Sequence, residues 1–456
     1  MPNQMQRKML KKAFEHDMKI FSSVFVNIYF YVATLSLATF FLLSSYLNLK
    51  GTEFISYLSI DGQCNPSIQG IGMHCFGDFY FPVLQLADSP HPWTHEADAI
   101  AYSPIAIWLF KPFTLLNSLF GGYAALSAFL LISLVCAMFP IWHATYKLKL
   151  LDKSYFGIAI FMTFMSVGTL SAIDRGNNNL FLLPLCYLFL AFRIKHKINL
   201  MMFMLILISI LKPQFFILSI FLLIEGEVKK FFSTLVLSAF STLLPFFAYG
   251  ENSISNLRAW FHNLVSFPQY AETGQLFPIN FSLSNVFALW SKIFEIAENP
   301  GLIRVFTLLL GIILFLFVAI TFNKRDCISN FIYLLFFPIL FGGTTYAYYA
   351  STLNLVLLLI LISGSQHGSQ NPLISKILIF RLDFKGYLLI VAVILLTIPV
   401  MLPLNFFTQQ FETQGTLISF QWMVGPVLLI STLLIGLISD VTNSYSKSDK
   451  SRKYLI

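Results

Sequence analysis

Long apolar runs constrain this chain more than any other feature of its sequence. Of its 456 residues, 57% are hydrophobic and 11% are charged, and the mean hydropathy is +0.74. Soluble domains carry about one quarter charged residues, so this composition excludes an ordinary soluble protein. Because lipid cannot hydrogen-bond a bare backbone, each crossing requires a helix of about 20 predominantly apolar residues. The sequence therefore predicts an all-α polytopic membrane protein.

We predict about twelve transmembrane helices, within a range of about ten to thirteen. One further apolar run, 103–120, is short, begins near Pro104 and carries Lys111-Pro112 midway. It either spans the membrane or lies at the interface. The predicted spans are residues 21–47, 121–146, 155–173, 180–192, 198–211, 214–224, 231–249, 302–322, 328–344, 346–363, 386–404 and 417–439.

The basic residues favour one orientation. With the amino terminus inside and residues 103–120 kept outside, the inner segments hold 22 of the 29 lysines and arginines. This bias follows the positive-inside rule. We therefore expect one transmembrane domain over residues 1–456 in the plasma (inner) membrane, with both termini cytoplasmic. Residues 48–120 form an outer loop with interfacial helices, and residues 440–456 form a cytoplasmic tail.

The net charge of +8 is divided among short segments between the apolar runs. A nucleic-acid site would need basic residues clustered outside the membrane, so no nucleic-acid partner is predicted. The same orientation places the unusual polar segments on the outer side, which is typical of an active face above a membrane scaffold. The membrane lipid itself is the first expected partner.

Asp78 lies in the first of these outer segments. A carboxylate among aromatic, partly dry surroundings can have a raised pKa that suits a general base. The alternative is a helix cap, because Asp78 directly precedes the apolar run 79–86 and Asp is a favoured N-cap residue.

Two cations follow apolar runs and could hold a phosphate. Arg175 suits bidentate phosphate contact, or it belongs to a polar turn in which it pairs with Asp174. Lys212, between two apolar runs, is costly in a membrane unless it is used, although its alternative is a lysine that snorkels to the interface. Arg258 lies in a later outer segment and is a third candidate.

Several polar side chains of the outer segments could contact a sugar. Asn177 and Asn178 offer donors and acceptors for hydroxyls, and Tyr346 either stacks on a sugar or belongs to the aromatic belt at the interface. Further candidates for substrate binding are Tyr80, Tyr102, Gln214 and Asn280.

Two other groups of side chains in the long loop could form a metal site or a disulfide, but each also has a simpler interpretation. His91, His95 and Asp98 have ligand chemistry but no sharp metal-ligand spacing, so a solvated loop is the better interpretation. Cys64 and Cys75 share this outer loop, where either a disulfide or two reduced thiols are consistent with the sequence. No Asp-x-Asp pair occurs, and we expect neither a metal nor another cofactor.

An ordered set of motifs adds to this interpretation. They are Gly77-Asp78-Phe79-Tyr80, Tyr102-Ser103-Pro104, Lys111-Pro112, Arg175-Gly176-Asn177, Lys212-Pro213 and Asn280-Phe281-Ser282-Leu283. Their order and spacing, up to about Ser363, resemble glycosyltransferase family 87, a mannosyltransferase-like family of the GT-C superfamily. The segment after Gly343 lacks the His-Tyr pair that members of the family often carry.

The resemblance implies a GT-C-like fold and an inverting glycosyltransferase. Such an enzyme moves one sugar, a hexose (mannose-like) or a pentose, from a polyprenyl phosphate to a glycan or lipid-linked acceptor on the outer side. By this likeness Asp78 is the general base, and Lys212 and Arg175 hold the donor phosphate. The alternative is a transporter or flippase of a lipid-linked saccharide. It predicts ionisable residues at mid-bilayer, whereas the predicted spans are almost free of charge.

Overall fold

The computed structural model describes most of the chain. The described residues are 23–38, 41–42, 76–80, 89–93, 102–273, 282–294, 299–324, 327–342, 345–365, 384–398 and 420–452. Within these ranges the regular structure is helical and no β-strand occurs, in agreement with the predicted all-α class.

The α-helices are numbered here in chain order. They are α1 Ser23–Ala38, α2 Gly77–Tyr80, α3 Pro104–Phe120, α4 Gly122–Trp142, α5 Phe156–Phe164, α6 Val167–Arg175, α7 Leu182–Ile194, α8 Ile198–Leu211, α9 Ile220–Ile224, α10 Val228–Leu243, α11 Ser253–Thr273, α12 Leu283–Ile293, α13 Pro300–Ile320, α14 Cys327–Leu340, α15 Leu353–Gly364, α16 Phe384–Thr397 and α17 Phe420–Arg452.

Three helical stretches in the described ranges are long and apolar enough to cross a bilayer. They are Gly122–Lys147, Val228–Ser266 and Gly301–Ile320, and the pair α5 and α6 makes a fourth if it is counted as one span. Nine shorter apolar helices of 10–17 residues accompany them. These helices identify an all-α membrane protein.

The predicted span 155–173 is divided into two helices. Its two halves, α5 and α6, are bent by 54° at the break between Phe164 and Val167. The Ser166 hydroxyl accepts the N–H of Thr169 at 3.2 Å, which is an N-cap that starts a new helix. The bend directs α6, which ends at Arg175, toward Asp78 on α2.

An aromatic cluster fixes the short helix α2. Phe79 is fully buried, with its ring centre 4.9 Å from that of Phe129 on α4 and 6.0 Å from that of Phe110 on α3. Offset and edge-to-face ring contacts of this kind are worth about 0.5–1.5 kcal/mol each beyond burial. Because Asp78 precedes Phe79, the anchored ring sets the position of the Asp78 carboxylate.

A second aromatic cluster fixes the loop before α3. Trp93 packs on Phe246 at 4.8 Å, its indole N–H donates to the Tyr102 carbonyl at 3.2 Å, and Asn263 on α11 donates to the Trp93 carbonyl at 2.9 Å. Trp260 packs on the other side of Phe246 and is buried. Trp260 therefore packs inside the protein and is not part of an exposed aromatic belt.

Candidate active site

The turn between α6 and α7 positions polar side chains of the candidate site, among them Arg175 and Asn177. Gly176 ends α6 in the left-handed region at φ 66°, which a residue with a side chain rarely adopts. A Cβ at this position would also lie 2.5 Å from Phe79 Cβ. The turn and the close approach of α2 both require glycine, so the sequence Arg175-Gly176-Asn177 brings the end of α6 against Asp78.

Asp78 forms a bidentate ion pair with Arg175. Arg175 Nε donates to Asp78 Oδ2 at 3.1 Å, and Nη2 donates to Oδ1 at 3.2 Å. Asn177 Nδ2 donates to the same Oδ2 at 2.7 Å, and it also lies 3.4 Å from the Tyr102 hydroxyl. The side chains of Asp78 and Arg175 are only 13% and 11% exposed. These partners replace the helix-cap role that is the simpler sequence interpretation of Asp78.

The expected rise in the pKa of Asp78 was wrong. Burial by itself would raise it, but the Arg175 charge, the hydrogen bonds from Arg175 and Asn177, and the Lys212 charge together hold the pKa of Asp78 below its ordinary value of 3.8. In this state the carboxylate is ionised and stabilised by its partners. A general-base role then requires that the stabilisation be weakened when substrate binds.

Lys212 lies within a group of three tyrosine rings. Its Nζ is 5.9 Å from the ring centre of Tyr102, 5.3 Å from that of Tyr348 and 5.1 Å from that of Tyr349. Lys212 is 8% exposed, and among the described residues no carboxylate forms an ion pair with it. The snorkelling interpretation does not fit this burial. A buried ammonium that is bordered by aromatic faces, with no ion-paired carboxylate among the described residues, suits an incoming anion.

Tyr348 and Tyr349 come from the 3-10 turn Ala347–Thr352, which packs tightly on α6. A Cβ on Gly168 would lie 2.1 Å from the backbone nitrogen of Ser351, so only glycine permits this approach. Asn179 Nδ2 donates to the Tyr348 carbonyl and to Ser351 Oγ, each at 2.8 Å. The turn after α6 thereby positions both Asp78 and the tyrosines.

Six of the predicted residues besides Asp78 join this site. Arg175, Asn177, Tyr102 and Lys212 are described above, and Gln214 donates to the Tyr349 hydroxyl. The Arg175 guanidinium lies 5.1 Å above the ring of Tyr346. Tyr346 is buried, so the belt interpretation does not apply to it.

The other predicted residues do not reach these contacts. Asn178 is buried beside Asn177, with no hydrogen-bond partner for either amide atom in the described part of the chain. Arg258 is exposed on α11, and no contact among the described residues links it to Asp78. The side chain of Tyr80 and the residues Asn280, Cys64 and Cys75 lie outside the described residues, as do His95 and Asp98 of the metal alternative.

Sequence reasoning gave too little weight to Tyr348 and Tyr349. Both are buried and face Lys212, whereas tyrosines at the start of an apolar run usually indicate an interfacial belt. Their position could have indicated a functional role, because they lie in the segment where members of the family often carry a His-Tyr pair. As for a metal, no three His, Cys, Asp or Glu side chains come together within the described ranges.

The apolar helices define a membrane protein. They enclose a candidate polar binding site, which consists of the buried Asp78 carboxylate, its partner Arg175, and Lys212 among tyrosine rings. The model of glycosyltransferase family 87 matches residues 100–336, just over half of the chain, and the chain belongs to that family. It is therefore a glycosyltransferase, as the motif order predicts. No match was found among curated proteins. Asp78 and the tyrosine turn lie outside the matched segment, and only their geometry associates them with Arg175 and Lys212.

Proposed function

We propose that this membrane glycosyltransferase moves one sugar from a polyprenyl phosphate to a hydroxyl of a glycan or lipid-linked acceptor, with inversion. A hexose, mannose-like, or a pentose is the expected sugar. The observation that supports the proposal is the juxtaposition of a buried carboxylate with two cations, one of which has no carboxylate partner in the described chain.

Lys212 is the proposed contact for the donor phosphate. As the bond between the anomeric carbon and the phosphate oxygen breaks, negative charge grows on the departing lipid phosphate. A fixed ammonium in a water-poor site stabilises that charge better than water does. Lys212 is already desolvated among the rings of Tyr102, Tyr348 and Tyr349, so it does not have to shed water during the reaction.

Asp78 is the proposed general base. The acceptor oxygen attacks the anomeric carbon from the face opposite the phosphate, and its proton passes to the Asp78 carboxylate. Because Arg175 lowers the pKa of Asp78, the resting carboxylate is a weak base. The donor phosphate competes for the Arg175 guanidinium, and any loosening of the ion pair raises the basicity of Asp78 when both substrates are present.

Uncharged polar groups complete the proposed substrate site. Burial and the Asp78 charge raise the pKa of Tyr102 well above its ordinary value, so its hydroxyl remains a neutral donor and acceptor. Asn177, Gln214 and Tyr346 offer further contacts to sugar hydroxyls. We propose no metal or other cofactor, since the two cations supply the positive charge that a metal would otherwise provide.

For the membrane arrangement we propose the GT-C-like architecture of about twelve spans. The basic residues favour cytoplasmic termini, with the site on the periplasmic or extracellular side of the plasma (inner) membrane. The donor and acceptor are then both reached at the outer interface, where a polyprenyl chain stays in the bilayer and its head group meets water.

The test is a transfer assay with the purified chain in liposomes. Polyprenyl phosphates carrying mannose, other hexoses or a pentose are supplied with envelope glycolipids from membranes of cells that lack the protein, and products are identified by mass spectrometry. One added sugar with the opposite anomeric configuration is the expected product. Full transfer by a folded Asp78→Asn variant would refute the assignment of the base, and absence of transfer from every polyprenyl donor would refute the donor class.

A further inference from the structure

A π-helical turn, His143–Lys147, closes the carboxyl end of α4. The Leu148 N–H donates to the His143 carbonyl at 2.9 Å, five residues earlier. In such a turn, residues five apart become neighbours, and Lys147 Nζ accordingly lies 5.6 Å from the ring centre of Trp142. Isolated π turns are rare and frequently mark functional sites.

Trp142, which directly precedes this turn, and Tyr146 within it lie on an exposed face that continues along α4. Leu131, Val135, Trp142 and Tyr146 are all exposed, and their spacing places them on one helical face. Trp and Tyr favour the boundary between hydrocarbon and head groups. The second ring also carries a cation, because Lys153 Nζ lies 5.9 Å from the ring centre of Tyr146.

A third cation comes from the turn between α7 and α8. His143 of the π turn is hydrogen-bonded to the Tyr187 hydroxyl of α7 at 3.1 Å, and Lys195 follows directly on the carboxyl end of α7. None of the three exposed lysines, 147, 153 and 195, forms an ion pair with a carboxylate of the described chain. The neighbouring Arg193, by contrast, is paired with Glu225. The three lysines with Trp142 and Tyr146 are called the basic aromatic patch below.

The basic aromatic patch is far from the candidate active site. Phe129, which packs against Phe79 beside Asp78, lies 18 residues before Lys147 on the same helix, and 18 residues correspond to roughly 27 Å of helix. This length is close to the thickness of the hydrocarbon core, about 30 Å. The active site and the patch therefore sit near opposite boundaries of the bilayer.

We propose that the basic aromatic patch binds the head group of an anionic phospholipid. Its phosphate is held by Lys147, Lys153 and Lys195, while the rings of Trp142 and Tyr146 lie at the level of the glycerol backbone. A lipid is the ligand that fits, because the cations border an exposed apolar stripe along which acyl chains can lie. The site does not depend on the glycosyl-transfer reaction.

Native mass spectrometry of the full chain tests this proposal. The protein is released from nanodiscs that contain equal amounts of phosphatidylglycerol and phosphatidylcholine, and the retained lipids are identified. We expect preferential retention of phosphatidylglycerol. Each lysine near an anionic surface contributes about fivefold in affinity. The preference of the variant K147Q/K153Q/K195Q for phosphatidylglycerol should therefore be at least about tenfold weaker than that of the unmodified chain.

The matched control is K149Q/K197Q/K229Q, which removes three exposed lysines, two from connections between helices and one from the first turn of α10. It carries the same change in net charge and should keep the preference. Equal loss in both variants would overturn the proposal in favour of general electrostatic attraction. Absence of a preference in the unmodified chain would also overturn it, as would complete displacement of the lipid by excess inorganic phosphate, which indicates a free-anion site.

Discussion

Replacing Lys212 with methionine tests whether the Lys212 ammonium binds the donor phosphate or only supports the fold. Methionine keeps most of the side-chain volume and removes the charge. A phosphate oxygen at about 4 Å from the ammonium gains roughly 4 kcal/mol at an effective dielectric constant of 20. That free energy corresponds to nearly 10³-fold in rate. The high effective dielectric is the conservative choice, because Lys212 is 8% exposed.

The stability of the Lys212→Met variant should not fall with its activity. The variant loses cation–π attraction of about 0.5–2 kcal/mol. It also no longer buries an ammonium, which costs several kcal/mol without a paired charge. We therefore expect Lys212→Met to reduce transfer nearly 10³-fold while the melting temperature in detergent stays the same or rises.

The matched control for this prediction is Lys111→Met. Lys111 also lies over an aromatic ring, 5.5 Å from that of Trp108, but it is exposed on α3. Initial rates with the polyprenyl donor and melting curves are measured for the unmodified chain and both variants. If Lys212→Met keeps transfer within about tenfold of the unmodified chain, or if Lys111→Met loses as much, the electrostatic reasoning fails.

Three further predictions concern the rest of the candidate active site. Asp78→Asn should lower transfer about 10²–10⁴-fold and destabilise the fold by roughly 3–5 kcal/mol, because Arg175 loses its buried carboxylate. The double variant with Arg175→Met should recover melting temperature but not transfer. Because the folded pKa of Asp78 lies below 3.8, its stabilisation is complete above that value and is lost as the pH falls through the folded pKa. Melting curves should therefore show a drop on acidification that is smaller in Asp78→Asn, and an equal drop would contradict the lowered pKa. Gly168→Ala places a Cβ 2.1 Å from the Ser351 nitrogen, so it should cost at least about 1–3 kcal/mol and reduce transfer, whereas Gly157→Ala, which meets nothing within 4 Å, should be neutral in both assays.

The sequence predicted the class and most of the site residues, because each of those inferences rests on a local rule. A charge such as Lys212 is conspicuous in an apolar run whatever its neighbours are. The order of the motifs was sufficient to predict the family, and the match of the family model over residues 100–336 confirms this prediction. The count of spans stays a prediction, because several apolar helices are shorter than a bilayer crossing requires.

The sequence did not predict how these residues act on one another. Asp78 and Arg175 are 97 residues apart, and no local pattern indicates that the arginine meets the carboxylate bidentately. The direction of the pKa shift of Asp78 was consequently wrong, since burial alone raises it and the unforeseen partners lower it.

By itself, then, the sequence determined a helical membrane glycosyltransferase with Asp78, Arg175 and Lys212 as its candidate residues. Only the tertiary structure decided that Arg175 pairs with Asp78 and that Lys212 lies among tyrosines, with no ion-paired carboxylate in the described part of the chain. The physical reason is that hydrophobicity and charge are properties of short segments, whereas burial and the electrostatics of a site depend on which distant segments meet. Here the meeting depends on glycines at positions 168 and 176, where a side chain would hold the segments apart.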